Sequence, residues 1–576
     1  MGVGILIGYF TQQDQARKAL RKLTKHGFNR AALVHKDPGG TVHLVNLSIQ
    51  RLSLRITFAA CLFAGIAGVA PFLLYGLKLF PLWNIFSSLG LIFAGAAIGA
   101  TVAFLWFRHF LQPADPGDIR NHSRWLLPGE YVLILRAPVA SLQRPVTLLR
   151  EIGDTPPPLF VLYPTLERRM QERTTTTKLS PSQILEHAHR HAGEQRVDPK
   201  PQHSTELLGR LKQSREWIRQ VCADLTAAGN LEQKTTPAAD WILDNEYILE
   251  GNARDILLNL PRRFFQQLPV LSNDPYHGLP CIYGLAKDLV AHTEMRLDRE
   301  NIVAFIEAYQ SVRTLTSGEL WALPQMMRLA LIESIQSLAV IALADLRERQ
   351  LADFWANRLI TANRRDSNQL FVVLAELAQA EPQPSAYFGV QLVGLLYDEA
   401  AALSPVQSWL ERTLKTPMYD LNLQEQNRQT REQLSCGNAF TSLRQLGQLD
   451  WREIFEQLNR VEQLLRLDPS GIYPRMDFAT RDCCRRAIEQ LAHAAMLTEV
   501  QVAERVIELA TAAGTSTTDE RQNHVGTWLV GEKRATLARL LTCRETCHYR
   551  FLQWTYNHHS AVYFLGIGSK IGRAHV

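Results

Sequence analysis

The sequence predicts a mainly α protein. A large all-α helical domain is preceded by a split ferredoxin-like α/β domain, which a two-helix transmembrane hairpin interrupts. Three observations predict this. Strand–helix–strand patterns lie on both sides of residues 56–107. Within 56–107, Lys78 alone interrupts two apolar runs. From residue 204 to 563, apolar residues recur at three- and four-residue intervals, and strand-like alternation is scarce.

Residues 1–55 hold the first half of the α/β domain. GILIGYF (residues 4–10) is an apolar strand. Thr11 is placed to cap a helix over 12–25, and Gly27 to end it. AALVH (31–35) and TVHLVNL (41–47) are strands joined by a Gly39-Gly40 turn. Gly2, Gly4 and Gly8 do not form a dinucleotide fingerprint, because no strand precedes them and their spacing differs from it. A regulatory or docking module is expected here.

The hairpin comprises residues 56–77 and 79–107, with Pro81 and Asn84 at the second start. Each run exceeds the ~20 apolar residues that a bilayer core requires. Arg51 and Arg55 flank the entry, and Arg108 and His109 the exit. With only Lys78 between the runs, the positive-inside rule places both flanks in the cytoplasm. Gly65, Gly68, Gly95 and Gly99 would let the two helices approach closely.

Residues 108–165 repeat the first pattern: EYVLILRAP (130–138), a helix over 142–152 ended by Gly153, and PLFVLYP (158–164). Residues 166–203 are a polar linker with one short helix, opened by a Ser180, Pro181, Gln183 capping box. His187 and His191 lie one turn apart on that helix, the spacing of metal ligands. No cysteine or HExxH acid accompanies them, so a solvated basic face is expected.

In the all-α region, Pro261, Pro269, Pro275, Pro280, Pro382, Pro405 and Pro417 punctuate the expected connections. No solenoid period is present. Residues 315–333, LTSGELWALPQMMRLALIE, read as a Gly318 turn followed by a helix with Pro324 in its first turn. So little charge follows that this helix belongs in an interior.

Candidate chemistry is sparse. Asp240, Asp244, Glu246 and Glu250 suggest paired carboxylates for glycosidic acid–base work, but a wet helix face or basic neighbours explain them more simply. Asp477, Arg481 and Asp482 suggest a buried ion network. Cys543, Cys547, His548, His558 and His559 resemble zinc ligands, but the region reads as helix and lacks a second cysteine pair. Cys483 and Cys484 are expected in the core. P-loop, GxSxG, HExxH and Asp-x-Asp motifs do not occur. No catalytic, cofactor-binding or metal residue is therefore predicted. The 576 residues carry a net charge of +6 with both signs interleaved, which excludes a nucleic-acid footprint. The 8 cysteines are irregularly spaced and fit a reducing compartment. Neither a charged signal-peptide start nor a myristoylation motif opens the chain.

Four stretches of the helical region resemble the amino-terminal part of cyclic β-1,2-glucan synthases. They are ADWIL with LPRRFFQQLP and GLPCIYGLA (from residue 239); AYQSVRTLTSGELWALPQMMRLALIE (308–333); GNAFTSLRQLGQLDWREIFEQL (437–458); and LDPSGIYPRMDFATRDCCRRAIEQLA (467–492), with HVGTWLV from His524. Cys484 and Trp528 depart from the family pattern. Residues 1–165 fall outside the resembling core.

The resemblance implies a multi-pass protein of the bacterial inner membrane with its soluble domains in the cytoplasm. It also implies a downstream glycosyltransferase domain that uses UDP-glucose and a divalent metal, and phosphorylase-like domains beyond it. None of those catalytic residues maps onto this sequence, so this stretch would supply membrane anchoring and a helical scaffold. SAVYFLGIG (560–568) reads as the start of a further membrane segment, and IGRAHV (571–576) resembles a translated sequencing adapter. Residues 564–576 are therefore expected to be a truncated segment plus a non-native tail. The alternative expectation is a complete membrane-tethered regulatory or interaction protein without catalysis. A third, an independent glycan-acting enzyme, would use the acids between Asp240 and Glu250.

Overall fold

The computed structural model describes residues 3–10, 12–28, 31–37, 41–45, 130–138, 141–152, 159–162, 179–198, 206–230, 235–259, 268–273, 276–365, 367–516 and 523–543. The hairpin predicted over 56–107 and the tail at 564–576 lie outside the described residues. The protein is mainly α-helical, with a small antiparallel sheet near its N-terminus.

The sheet is built from β1 (Val3–Phe10), β2 (Ala31–Lys36), β3 (Val42–Val45), β4 (Tyr131–Pro138) and β5 (Leu159–Leu162), in the order β3-β2-β4-β1-β5. Every pairing is antiparallel, with Ile7 opposite Ile134 and Phe160, and Leu33 opposite Leu133 and Val45. β4 thus lies between β1 and β2, although residues 46–129 separate it from them in the chain. Strands from both sides of the predicted hairpin therefore form one sheet.

The period of two along each strand sends alternate residues to opposite faces. Leu6, Leu33, Leu133 and Leu135 are buried on one side. α1 (Gln13–Lys25) packs on the sheet and on α2 (Gln143–Arg150), burying Ala16, Ala19, Leu20 and Leu23 at helical spacing. Its N-cap is Gln12, without a side-chain cap bond. Gly27 follows the helix at φ +91°, as expected of the residue that ends it. Ile5, Ile7, Tyr9, Ala32, Val34, Val132 and Ile134 belong to a second core, shared with helical residues between Ala352 and Leu421. Tyr9 and Phe354 lie 4.7 Å apart, ring to ring. Burial on both faces explains why these strands read as near-continuous apolar runs. Each such Leu, Ile or Phe contributes about 1.5–3 kcal/mol.

The chain divides into two compact units. The first comprises Met1–Thr175, Lys212–Glu250 and Glu333–Gly437. It holds the sheet and, in chain order, most of α4 (Glu206–Asn230), α5 (Pro237–Asp244) and the start of α6 (Glu246–Asn259). The second comprises Thr176–Leu211, Gly251–Ile332 and Asn438–Val576. It opens with α3 (Pro181–Glu194), where Ser180 and Gln183 form the predicted capping box. α7 (Cys281–His292) and α8 (Arg299–Gln310) follow in that unit.

α9 (Ser317–Arg365) runs for 49 residues, about 73 Å at 1.5 Å per residue. Here the sequence expectation is corrected. Gly318 makes no turn and Pro324 does not open the helix; both lie inside it. The start is set by Thr316 and Glu319. Glu319 N–H donates to Thr316 Oγ1 at 3.2 Å, and Thr316 N–H donates to Glu319 Oε2 at 2.9 Å. That reciprocal cap satisfies two otherwise orphaned donors. Among the described residues, one helix, Ser317–Arg364, is long and apolar enough to cross a membrane, and 72% of its apolar window is buried inside the protein. A core helix passes the same test.

Beyond α9, the first unit adds α10 (Ser367–Ala380), α11 (Ala386–Leu395), α12 (Ala400–Leu414) and the greater part of α13 (Met418–Leu446). Pro405 sits within α12 rather than at a connection. The second unit ends with α14 (Trp451–Leu458), α15 (Arg460–Leu465), α16 (Phe478–Ala495), α17 (Glu499–Ser516), α18 (Val525–Leu529) and α19 (Arg534–Leu540). Leu465, Tyr473, Ile488, Val502, Val506, Val525 and Leu529 form its core.

Candidate functional site: an arginine–glutamate–aromatic cluster

Three of the four sequence stretches converge in the second unit. WREIFEQLNRVEQLL reads as one helix but breaks at Asn459, which ends α14 and caps α15 through Glu462 N–H at 3.0 Å. Asn459 Nδ2 also donates to Ser317 Oγ at 3.0 Å, and Ser317 Oγ donates to Glu499 Oε2 at 2.7 Å. The starts of α9, α15 and α17 are thereby tied together. Trp321, on the next turn of α9, stacks on Phe455 with ring centroids 4.4 Å apart and meets Phe478 edge-on at 6.2 Å.

Under these rings lies the charge. Glu462 is fully buried and accepts from Arg485 Nη1 at 2.6 Å, Tyr473 Oη at 2.8 Å and Arg466 Nε at 3.0 Å. Arg485 is itself buried, with its guanidinium 4.8 Å from the Phe478 ring centroid and 5.3 Å from that of Phe455. Arg481 pairs with Glu456 at 2.6 Å, and Asp482 with Arg486 at 2.7 Å. Burial pushes the Tyr473 phenol well above its ordinary range, and the Glu462 carboxylate adds to the shift. The phenol is therefore a proton donor, not a base.

A second arrangement lies beside it. Asp468 accepts from Ser470 Oγ at 2.5 Å, His524 Nδ1 at 2.9 Å, and the backbone N–H groups of Tyr473 and Val525 at 3.1 Å each. Burial opposes ionisation of Asp468, but these bonds outweigh it and hold the carboxyl at about 2. Serine, histidine and aspartate meet here without forming a nucleophilic triad. Ser470 Oγ donates to the carboxylate, and only Nδ1 of His524 faces it, at 3.3 Å. A triad needs the serine on Nε2. That atom instead lies over Gly526, where an added Cβ would come within 2.5 Å of it.

The other sequence candidates fall elsewhere. Asp240 and Asp244 are exposed on α5, whereas Glu246 and Glu250 lie on α6. Glu250 is held by Arg215 at 2.5 Å and Arg219 at 2.8 Å, which lowers its carboxyl. The basic-neighbour reading therefore holds for Glu250. Asp477 stands exposed at the N-cap position of α16 without a side-chain cap bond, and the Thr480 hydroxyl donates to it. The ion network expected around Arg481 and Asp482 is present, but its centre is the Glu462–Arg485 pair. Cys484 is buried as expected, whereas Cys483 is exposed. Cys543 Sγ lies 3.8 Å from Leu491 O. Cys547, His548, His558 and His559 lie outside the described residues.

The solvated face expected for His187 and His191 is corrected. Both rings are part-buried against Asp288 of α7, whose carboxylate sequence spacing alone did not bring to them.

Nothing in the cluster is poised as a free acid–base pair, because Glu456, Glu462 and Asp482 are each matched by arginine. The shallow notch lined by Trp321, Pro324, Trp451 and Phe455 has room for about one water. The arrangement joins helices.

No protein-family model matches the chain. Cyclic beta-(1,2)-glucan synthase NdvB of Rhizobium meliloti (strain 1021) is 32% identical over 327 residues, which make up 56% of this chain and 11% of that protein. Over those residues, this chain is a homologue of a small part of cyclic β-(1,2)-glucan synthase NdvB.

Proposed function

We propose that this chain is the amino-terminal part of a membrane-bound glycosyltransferase of the cyclic β-1,2-glucan synthase type. It supplies membrane anchoring and a helical scaffold; the transferase domain that would use UDP-glucose and a divalent metal lies further along the whole protein. The homology over 327 residues carries this reading. The fully paired Glu462–Arg485 cluster supports it, since its geometry suits a junction and offers no acid–base pair. The sheet order, with β4 between β1 and β2, suits a ferredoxin-like domain into which residues 56–107 insert as a transmembrane hairpin. Both flanks of that hairpin would face the cytoplasm, in a multi-pass inner-membrane protein whose partners are the lipid bilayer and the downstream transferase domain.

A segment exchange tests the reading. The matching region of the Rhizobium meliloti synthase is replaced by that of this chain, and glucan formation from UDP-glucose is measured in membranes. Retained synthesis is expected. A chimaera that is membrane-inserted and folded but makes no glucan overturns the scaffold assignment. Residues 1–576 alone should turn over no UDP-glucose, and turnover by them would also overturn it.

A further inference from the structure

α3 and α7, both within the second unit, face each other with one i,i+4 pair apiece: His187 and His191 on α3, Asp288 and His292 on α7. Residues at that spacing share one face of a helix. His187 Nε2 lies 3.0 Å from Asp288 Oδ2, and His191 Nδ1 lies 3.2 Å from the same oxygen. All three atoms fall within 4.8 Å of one another. The side chains are only 14–18% exposed, so the pocket is shielded yet reachable. The His292 ring closes one side, 4.4 Å from His187 and edge-on. Each ring has an outer partner at its other nitrogen. Arg190 Nη2 lies 3.2 Å from His187 Nδ1, and Gln195 Nε2 lies 2.6 Å from His191 Nε2. Gln195 is anchored in turn by Tyr309 Oη, which donates to its Oε1 at 2.5 Å.

We propose that His187, His191 and Asp288 form a binding site for a divalent transition-metal ion of the zinc class, with water in the fourth position. Two imidazole nitrogens and one carboxylate oxygen are a donor set that suits Zn²⁺. The 3.0 and 3.2 Å separations are close to the tetrahedral edge of about 3.3 Å that bonds of about 2.0–2.1 Å produce. Without metal, His187 and His191 each direct an N–H at Asp288. On binding, those protons move to the outer nitrogens, so neutral rings release no net proton. Arg190 would have to leave His187 Nδ1–H, and the Gln195 amide would turn so that its Oε1 accepts from His191 Nε2–H while its NH2 donates to Tyr309 Oη. The ion would link α3, the short helix within residues 166–203, to α7. Gln195, held by Tyr309, would be the outer partner that orients the His191 ring.

The test uses the whole purified chain, stripped with chelator. Zn²⁺ is titrated in competition with a chromophoric chelator, and Co²⁺ binding is followed by its visible absorption. The wild type should bind one ion whose Co²⁺ spectrum lacks a thiolate charge-transfer band, which separates this site from any cysteine site. Asp288→Asn and His187→Gln should each weaken that ion by more than the roughly 10–100-fold that outer-shell changes cost. His187→Gln preserves a donor to Asp288, so it decides the matter if Asp288→Asn fails to fold. Equal stoichiometry and affinity in wild type and His187→Gln, or no bound ion in the wild type, would show a hydrogen-bonded trio only and overturn the proposal.

Discussion

Arg485 donates to Glu462 at 2.6 Å where both side chains are buried beneath Phe455 and Phe478. Taking two charges out of water is costly, and only their mutual contact and the surrounding hydrogen bonds offset that cost. Removing one partner therefore does more damage than removing both. Arg485→Met should destabilise the chain by about 3–5 kcal/mol, measured by urea unfolding. Adding Glu462→Gln to that variant should restore part of the loss, because a carboxylate that has lost its buried guanidinium partner and keeps only Arg466, Arg481 and the Tyr473 phenol is replaced by a neutral amide. An Arg485→Met variant within about 1 kcal/mol of wild type would show that the pair is not the centre of the junction.

The Asp468 carboxyl, held at about 2 against an ordinary 3.8, makes acid stability a readout of the second arrangement. The sign follows from the depressed folded value. The ionised form is bound more tightly in the folded chain, so the contribution is complete above about pH 4 and is lost as pH falls through 2. A depression of this size is worth about 2 kcal/mol. Asp468→Asn should be less stable by about that amount at pH 6, and the gap to wild type should close between pH 4 and 2. Thermal unfolding across that range measures it. A gap independent of pH would mean that Asp468 acts through packing and not through its charge.

Local chemistry was legible in the sequence wherever its signal was short. The apolar strands, the Ser180–Gln183 capping box and the amphipathic helices appear where their periods place them. The start of α9 was equally legible in principle, because T-S-G-E at 316–319 spells a capping box. Pro324 competes with it as a start signal, since proline favours a first turn but is here accommodated inside a buried helix. The break at Asn459 carried the same kind of signal, an N-cap asparagine three residues before Glu462. The partners joined by tertiary folding were not legible. His191 and Asp288 are 97 positions apart, and no local period links them. Nor does any local period connect the outer face of β1 to Phe354. The centre of the ion network went unseen for a related reason: Glu462 reads as one more polar residue of an amphipathic helix until α16 brings Arg485 against it.

Asp224 offers a test in the first unit. It sits on α4 between Cys222 and Leu225, within the buried face that Val221 also supplies, and is only 5% exposed. Burial raises its carboxyl from 3.8 to about 7. A raised folded value reverses the sign found for Asp468. The protonated form suits the folded chain, so the stabilising contribution is complete below about pH 4 and is lost as pH rises through 7. Asp224→Asn keeps the shape but removes the titration. Its stability should match wild type near pH 4 and exceed it by about 1–3 kcal/mol at pH 8, since a tenfold change in the acid's ionisation constant corresponds to about 1.4 kcal/mol and relaxation of the site reduces the sum. Urea unfolding at both pH values measures the difference. A variant that is less stable than wild type at pH 8 would mean that the ionised carboxylate is held by a favourable contact, and that burial does not control the ionisation of this residue.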